Sequence, residues 1–164
     1  ESEFDAEAIS RSNARGLTQV MPATGFDLSR RVGLRGYHTG LLFSPDVNLQ
    51  LGTFYMRWLL NLVDNTTEFM LASYNGGKSR VDRWREVYRY SEPAEFVESI
   101  PLNETRNYVQ IVMRNADFYR RLYASKPDAF TPTPVAKPMP PAPPAPAKKA
   151  PAKKAPARAG KARR

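Results

Sequence analysis

Four short blocks of this 164-residue chain carry acids, amides or phenols, and three of them also contain a Gly or Pro that fixes the local backbone direction. A chain that only packs a core has little reason to repeat this combination. We therefore expect the blocks to meet at one sugar-binding cleft, with Glu1 as a single catalytic acid. The blocks are Glu1-Ser2, GLTQVMP at residues 16–22, ASYNGG at residues 72–77 and IPLNETRNYV at residues 100–109.

Cleavage of a glycosidic bond needs a proton for the leaving oxygen and stabilisation of an oxocarbenium-like transition state. Most glycosidases divide this work between two carboxylates. Glu1 is the obvious acid here, while Glu104 stands where a helix is predicted to begin. If Glu104 orients neighbours or binds substrate, the sugar must supply the second group. An acetamido oxygen can assist at C1, and the C6 hydroxyl can then attack C1 intramolecularly, which gives a 1,6-anhydro product without water.

Composition divides the chain into two parts. Residues 1–125 contain 15 Lys or Arg and 15 Asp or Glu, whereas residues 126–164 contain 10 Lys or Arg, one acid and 11 of the 15 prolines. The formal net charge of +9 therefore lies in the second part. We predict one folded domain over residues 1–125, which is long enough to bury a core, and a disordered Pro/Ala/Lys-rich tail over residues 126–164.

The function of the tail is open at this point. It is either a solvating spacer or an electrostatic contact with anionic material of the cell envelope, such as peptide-stem carboxylates or lipid phosphates. Nucleic acid is the less favoured partner, since no aromatic residues are interleaved with the basic repeat at residues 148–156.

Several classes of site are excluded or not indicated. The chain has no Cys, so it has no disulfide and no thiolate metal site. No apolar run is long enough to span a bilayer, and no cluster of metal ligands or phosphate-binding loop suggests a cofactor. Because Glu1 already belongs to a motif, we expect the chain to be a fragment or processed product whose export signal is out of view.

Apolar residues at spacings of three and four predict a mainly helical domain. Ser44-Pro45 has the residue types of an N-cap and first helical position, Asn103 suits an N-cap, and Gly76-Gly77 should end a helix. A loop or small hairpin is expected over residues 33–43, and the fold is all-α or lysozyme-like α+β. The predicted helices cover residues 22–31, 44–65, 69–74, 81–88 and 103–122.

Five blocks in order resemble the soluble lytic transglycosylase (SLT) family over roughly residues 1–120. The resemblance implies a goose-type-lysozyme-like fold, mainly α with a minor irregular or β loop. It also implies cleavage of the β-1,4 bond between N-acetylmuramic acid and N-acetylglucosamine in peptidoglycan, in the bacterial cell envelope and specifically the periplasm. The blocks are ES-x-F at residues 1–4, AIS at 8–10, ARGL-x-Q-x-MPAT at 14–24, A-x-YNGG at 72–77 and IP-x-x-ETR-x-YV at 100–109.

The same resemblance assigns site residues. Glu1 matches the catalytic acid, which would protonate the glycosidic oxygen and then, as a carboxylate, take the proton of the C6 hydroxyl. Burial beside Met21 and nearby aromatics would raise the pKa of Glu1. The positions that would line or order the cleft are Ser10, Gln19, Met21, Tyr74, Asn75, Glu104 and Tyr108.

Two departures from the family pattern and two alternative functions accompany this assignment. The family has a helix ahead of Glu1, and a free α-amino group there would weaken the acid, so we expect lower activity than in a longer chain. Gly77-Lys78-Ser79 replaces a common Gly-Pro-Gly, which should alter loop shape and not chemistry. The alternatives are a hydrolytic muramidase using Asp5 or Asp27, and a weak or inactive glycan-binding module tethered by the tail.

Overall fold

The structure, a computed structural model, describes residues 2–123 as six α-helices joined by loops and one short 3-10 helix, Thr39–Phe43. The predictions for Glu1 and for the tail at residues 126–164 lie outside the described residues. Of the helices in the described range, none is long and apolar enough to cross a membrane. The α-helices are α1 (Pro22–Arg31), α2 (Pro45–Leu62), α3 (Thr67–Gly76), α4 (Lys78–Val87), α5 (Pro93–Ser99) and α6 (Asn103–Tyr123).

The start of α2 agrees with its prediction, and its end does not. Ser44 is the N-cap and Pro45 the first helical residue, although the Ser44 hydroxyl makes no capping hydrogen bond. The helix ends at Leu62 instead of near Asn65. Asp64 and Asn65 have left-handed φ values of +55° and +56°, which a right-handed helix cannot include.

Two other local predictions are corrected. Asn103 is not an N-cap but the first residue of α6, because the carbonyl of Leu102 accepts the N–H of Arg106 at 2.9 Å and so begins the helical ladder. Of the two alternatives for residues 33–43, the structure has the loop, tightened by the 3-10 helix, and no hairpin occurs there.

Helix α5 was not predicted. Its seven residues are too few to display a helical period, although Pro93 at the first position and Glu95 in the first turn are both start signals. Phe96 and Val97 are buried, and Phe96 packs edge-on against Phe69 of α3 with ring centroids 4.8 Å apart. The short helix therefore closes one side of the core.

Two buried clusters make up the core. One involves α3, α4, α5 and α6, with buried residues that include Val81, Phe96 and Val109. The other packs α1 and the start of α2 around Leu28 and Leu51. Helix α2 connects the two clusters. Leu51 belongs to the second cluster, and Val63, the residue after the helix, is buried in the first. The loop before α1 thus rests on one cluster while α3 and α6 belong to the other.

The loop before α1 is ordered by main-chain pairing. Isolated antiparallel bridges join Ile9 to Arg15 and Arg15 to Val20. The N–H of Gly16 also donates to the carbonyl of Ala8 at 2.9 Å. These bonds form the small irregular β element that the resemblance implies, and they hold the segment that carries Ser10 through Met21.

Candidate active site

A cavity of about 710 Å³ lies between the loop before α1 and the helices α2, α3 and α6. All seven cleft residues that the sequence predicted within the described range line it, although they come from four separate stretches of chain. They are Ser10, Gln19, Met21, Tyr74, Asn75, Glu104 and Tyr108.

Gln19 and Ser10 shape the loop wall of this cavity. Nε2 of Gln19 donates to the carbonyls of Gly16 at 2.8 Å and Ala8 at 3.2 Å, and Gln19 itself has a left-handed φ of +52°. The hydroxyl oxygen of Ser10 accepts the N–H of Ala14 at 3.0 Å. Both polar side chains therefore fix the backbone of the wall, which is a positioning role in addition to any contact with a ligand.

Asn48 of α2, which belongs to none of the sequence motifs, binds the loop before α1 through its side-chain amide. It is fully buried, and its Nδ2 donates to the carbonyls of Leu42 at 2.7 Å and Arg15 at 2.9 Å. Its Oδ1 accepts the Thr18 N–H at 2.7 Å and the Thr18 hydroxyl at 2.6 Å. One sequence signal could have identified Asn48. It is a polar residue between Val47 and Leu51, on the apolar face of a predicted helix, and a buried polar side chain needs hydrogen-bond partners.

Close packing beneath the loop depends on two glycines. A Cβ at Gly16, whose φ is +70°, would overlap the carbonyl oxygen of Leu42 and the Asn48 side chain. A Cβ at Gly52 of α2 would overlap the side chain of Thr18. The glycine of the Gly-Leu-Thr-Gln motif therefore lets the loop backbone lie directly against Leu42 and Asn48, in addition to the side-chain chemistry of the motif.

The helical wall presents Tyr74 and Asn75 from the end of α3. The Tyr74 hydroxyl donates to the carbonyl of Thr18 at 2.7 Å. Oδ1 of Asn75 accepts the hydroxyl of buried Thr105 at 2.7 Å, so the amide is oriented by the first turn of α6. The amide nitrogen of Asn75 has no hydrogen-bond partner among residues 2–123, and it is available to donate to a ligand carbonyl.

A smaller hollow of about 270 Å³ continues this surface and shares Gln19, Met21, Tyr74 and Asn75 with the larger cavity. Tyr55 lines it, and burial raises the pKa of its phenol above the ordinary value of 10.0. The two hollows share four residues and together form an extended surface that has both polar and apolar groups.

The acidic residues in reach of the cavity are few. Glu104 is the one carboxylate among the described residues that line it, and it is exposed. Asp5 and Asp27, the alternatives for a hydrolytic site, do not line it; Oδ1 of Asp5 accepts the Glu7 N–H at 2.8 Å instead. No group of three His, Cys, Asp or Glu that could hold a metal occurs in the described part of the chain.

Comparison with known proteins agrees with this geometry. The family model described as the transglycosylase SLT domain matches residues 1–97. The chain belongs to this family. It is 35% identical over 136 residues to the soluble lytic murein transglycosylase of Escherichia coli K12, covering 81% of this chain and 21% of that protein. The chain thus spans about a fifth of the length of this SLT relative.

Solved structures of the family share the fold. An inactive mutant of lytic transglycosylase Slt from Pseudomonas aeruginosa superposes with a TM-score of 0.70 at 35% identity, covering 76% of this chain and 20% of that one. The 70 kDa soluble lytic transglycosylase of Escherichia coli gives a TM-score of 0.67 at 32% identity, covering 80% and 22%. The predicted fold, mainly α and lysozyme-like, is confirmed.

Proposed function

We propose that this SLT-family chain is a peptidoglycan lytic transglycosylase. It cleaves the β-1,4 bond between N-acetylmuramic acid and N-acetylglucosamine without water and leaves 1,6-anhydro-N-acetylmuramic acid ends. One observation carries the proposal: seven motif residues from three distant parts of the chain, namely the loop before α1, the end of α3 and the start of α6, line a single cavity. The names of the relatives support the same reaction.

Glu1 is the proposed acid and base. The Ser2 hydroxyl donates to the carbonyl of Leu17 at 2.9 Å, and Leu17 lines the cavity. Ser2 is covalently joined to Glu1, which supports a role for Glu1 at this cavity. In the first step the protonated carboxyl gives its proton to the glycosidic oxygen, the acetamido oxygen attacks C1, and the bond from C1 to the glycosidic oxygen breaks. In the second, the carboxylate takes the C6 hydroxyl proton as O6 attacks C1 and breaks the bond between C1 and the acetamido oxygen, which restores the acetamide.

The cavity residues supply orientation and not further proton transfer. The free N–H of Asn75 suits a sugar acetamide carbonyl, and the phenol oxygen of Tyr74, whose proton is directed at Thr18, suits a sugar hydroxyl. Glu104 is proposed to bind sugar hydroxyls at the start of α6. Holding the C6 hydroxyl near C1 replaces attack by bulk water with an intramolecular attack.

Product mass tests the reaction. Digestion of peptidoglycan by the full 164-residue chain should release disaccharides lighter by one water than those from a muramidase. Glu1→Gln should abolish release, because an amide cannot donate the proton. Glu3→Gln is the matched control, since Glu3 is exposed and does not line the cavity. Hydrolysed products would establish the muramidase alternative, and no release by the parent chain would favour a glycan-binding module.

The bacterial cell envelope, and the periplasm in particular, is the proposed location. The tail at residues 126–164 is proposed to hold the enzyme on anionic envelope material through its 10 basic residues. Deleting residues 137–164 should reduce retention on isolated sacculi, and added salt should reduce retention of the full chain. Retention that salt does not change would contradict this role, and competition by added DNA would point to the less favoured nucleic-acid partner.

A further inference from the structure

A tight turn over residues 10–14 forms part of one wall of the large cavity. The Asn13 N–H donates to the carbonyl of Ser10 at 2.9 Å, and the Ser10 N–H donates to the carbonyl of Ala14 at 2.9 Å. The guanidinium of Arg15 donates to Oδ1 of Asn13 at 3.2 and 3.3 Å. Main-chain hydrogen bonds and the Arg15 side chain therefore both stabilise the turn, and they fix the backbone position of the residues within it.

The turn also places an arginine at the cavity, and this residue has no ion-pair partner in the part of the chain that the structure describes. Arg11 lines the cavity and is exposed, and within residues 2–123 it has neither an ion-pair nor a hydrogen-bond partner. Arg15 differs, because Asn13 and the carbonyl of Thr39 both accept from its guanidinium. Arg11 thus has no polar contact in the described part of the chain, while it lines the space that the glycan is proposed to fill.

We propose that Arg11 binds a carboxylate of the peptide stem attached to the muramic acid residue, and so selects stem-bearing strands. This inference rests on the proposed function. The sugars near the cleaved bond offer only hydroxyls and acetamides, and the lactyl carboxyl of intact strands is an amide. The stem therefore supplies the anions, and a guanidinium binds a carboxylate through two parallel hydrogen bonds.

The test compares two forms of one soluble, stem-bearing oligosaccharide prepared from murein. In the second form, carbodiimide and ammonia have converted the carboxylates to amides. For the acid form, Arg11→Gln in the full chain should raise KM about three- to tenfold, the range between an exposed and a charge-assisted contact. The kcat should not change, because the lost contact is equally strong in ground and transition states.

The amide form separates recognition from structure. Parent and Arg11→Gln should have equal KM values for it, whereas a damaged turn would weaken both forms alike. Arg11→Lys should recover part of the preference for the acid form. Arg114→Gln, which removes an exposed arginine of α6 outside the cavity, should behave as the parent. All variants keep the tail, so its charge cancels in the comparison.

Two results would overturn the inference. One is a parent enzyme that does not distinguish the acid from the amide form. The other is an Arg11→Gln effect confined to strands stripped of stems, which would assign the free lactyl carboxylate as the ligand. If the chain cleaves nothing, dissociation constants for the two oligosaccharides, measured by calorimetry, still decide the matter, so failure of the proposed reaction is distinguishable from failure at Arg11.

Discussion

The Tyr74 hydroxyl donates a hydrogen bond to the main-chain carbonyl of Thr18, 56 residues earlier in the chain, over 2.7 Å. The two residues lie on different walls of the cavity, one at the end of α3 and one in the loop before α1. The Tyr74 ring also packs on Tyr55 of α2, with centroids 5.3 Å apart. A single side chain thus joins the loop, α2 and α3 at the place where the glycan is proposed to bind.

Replacement of Tyr74 by Phe should lower the free energy of unfolding by about 1 kcal/mol, because the Thr18 carbonyl loses its donor while the ring contact remains. Glycan cleavage should fall as well, since the phenol oxygen is proposed to bind a sugar hydroxyl. Urea denaturation and the rate of product release measure the two effects. Tyr88→Phe is the control, since the Tyr88 hydroxyl has no hydrogen bond among the described residues. Equal stability of Tyr74→Phe and the parent would refute the structural part.

Asn48→Ala should cost more, about 3 kcal/mol, because it removes four hydrogen bonds from a fully buried side chain and leaves two main-chain groups without partners. These groups are the Thr18 N–H and the buried carbonyl of Leu42, whereas the Arg15 carbonyl keeps the N–H of Val20. Asn61→Ala changes the same residue type at an exposed position of the same helix and should shift stability by less than about 0.5 kcal/mol. Denaturation of both variants measures the difference, and similar losses would remove Asn48 from the support of the loop.

The seven cleft residues were assigned through the resemblance to the SLT family, and the structure brings all seven to one cavity. The residue that supports the loop wall of this cavity was not assigned. Asn48 belongs to no motif, and its four hydrogen bonds connect segments up to 33 residues apart, which no local pattern records.

The long helices α2 and α6 were predicted from the spacing of their apolar residues, whereas α5 and the exact ends of α2 and α6 were not. Helix α5 has only seven residues, and the end of α2 depends on left-handed Asp64 and Asn65, whose types permit that conformation without requiring it. Asn103 has a side chain suited to capping, but Leu102 begins the ladder one residue earlier. At these helix ends, tertiary packing therefore decides where the helix begins or stops, and the local preference of the residue types does not.

Gly16 provides a test of the close approach under the loop, with Gly33 as its control. Their φ values are +70° and +72°, so alanine at either position pays the same left-handed penalty of about 1 kcal/mol. Only at Gly16 would the new Cβ overlap other atoms, since nothing lies within 4 Å of a Cβ at Gly33. Gly16→Ala should therefore destabilise the domain by about 2 kcal/mol more than Gly33→Ala. Equal unfolding free energies for Gly16→Ala and Gly33→Ala would mean that the loop can move to accommodate the new Cβ without loss of stability.

Stability should also fall at alkaline pH through buried phenols. Burial raises the pKa of Tyr55 above 10.0, so the folded chain retains this proton where the unfolded chain has lost it. The stabilisation is complete below pH 10.0, and it is lost as the pH rises from that value through the folded-state pKa. Tyr37 contributes with the same sign, because burial raises its pKa more than the charge of Arg15 lowers it.

Tyr55→Phe isolates one of these phenols, because phenylalanine keeps the ring and has no proton to lose. The variant should show a smaller loss of unfolding free energy than the parent between pH 9 and pH 11, and the two should follow parallel curves below pH 9, where the phenol is protonated in both states. Urea denaturation across this range gives the curves. The difference in absorbance at 295 nm between parent and variant reports ionisation of Tyr55 directly, and its appearance below pH 10 would contradict a raised pKa.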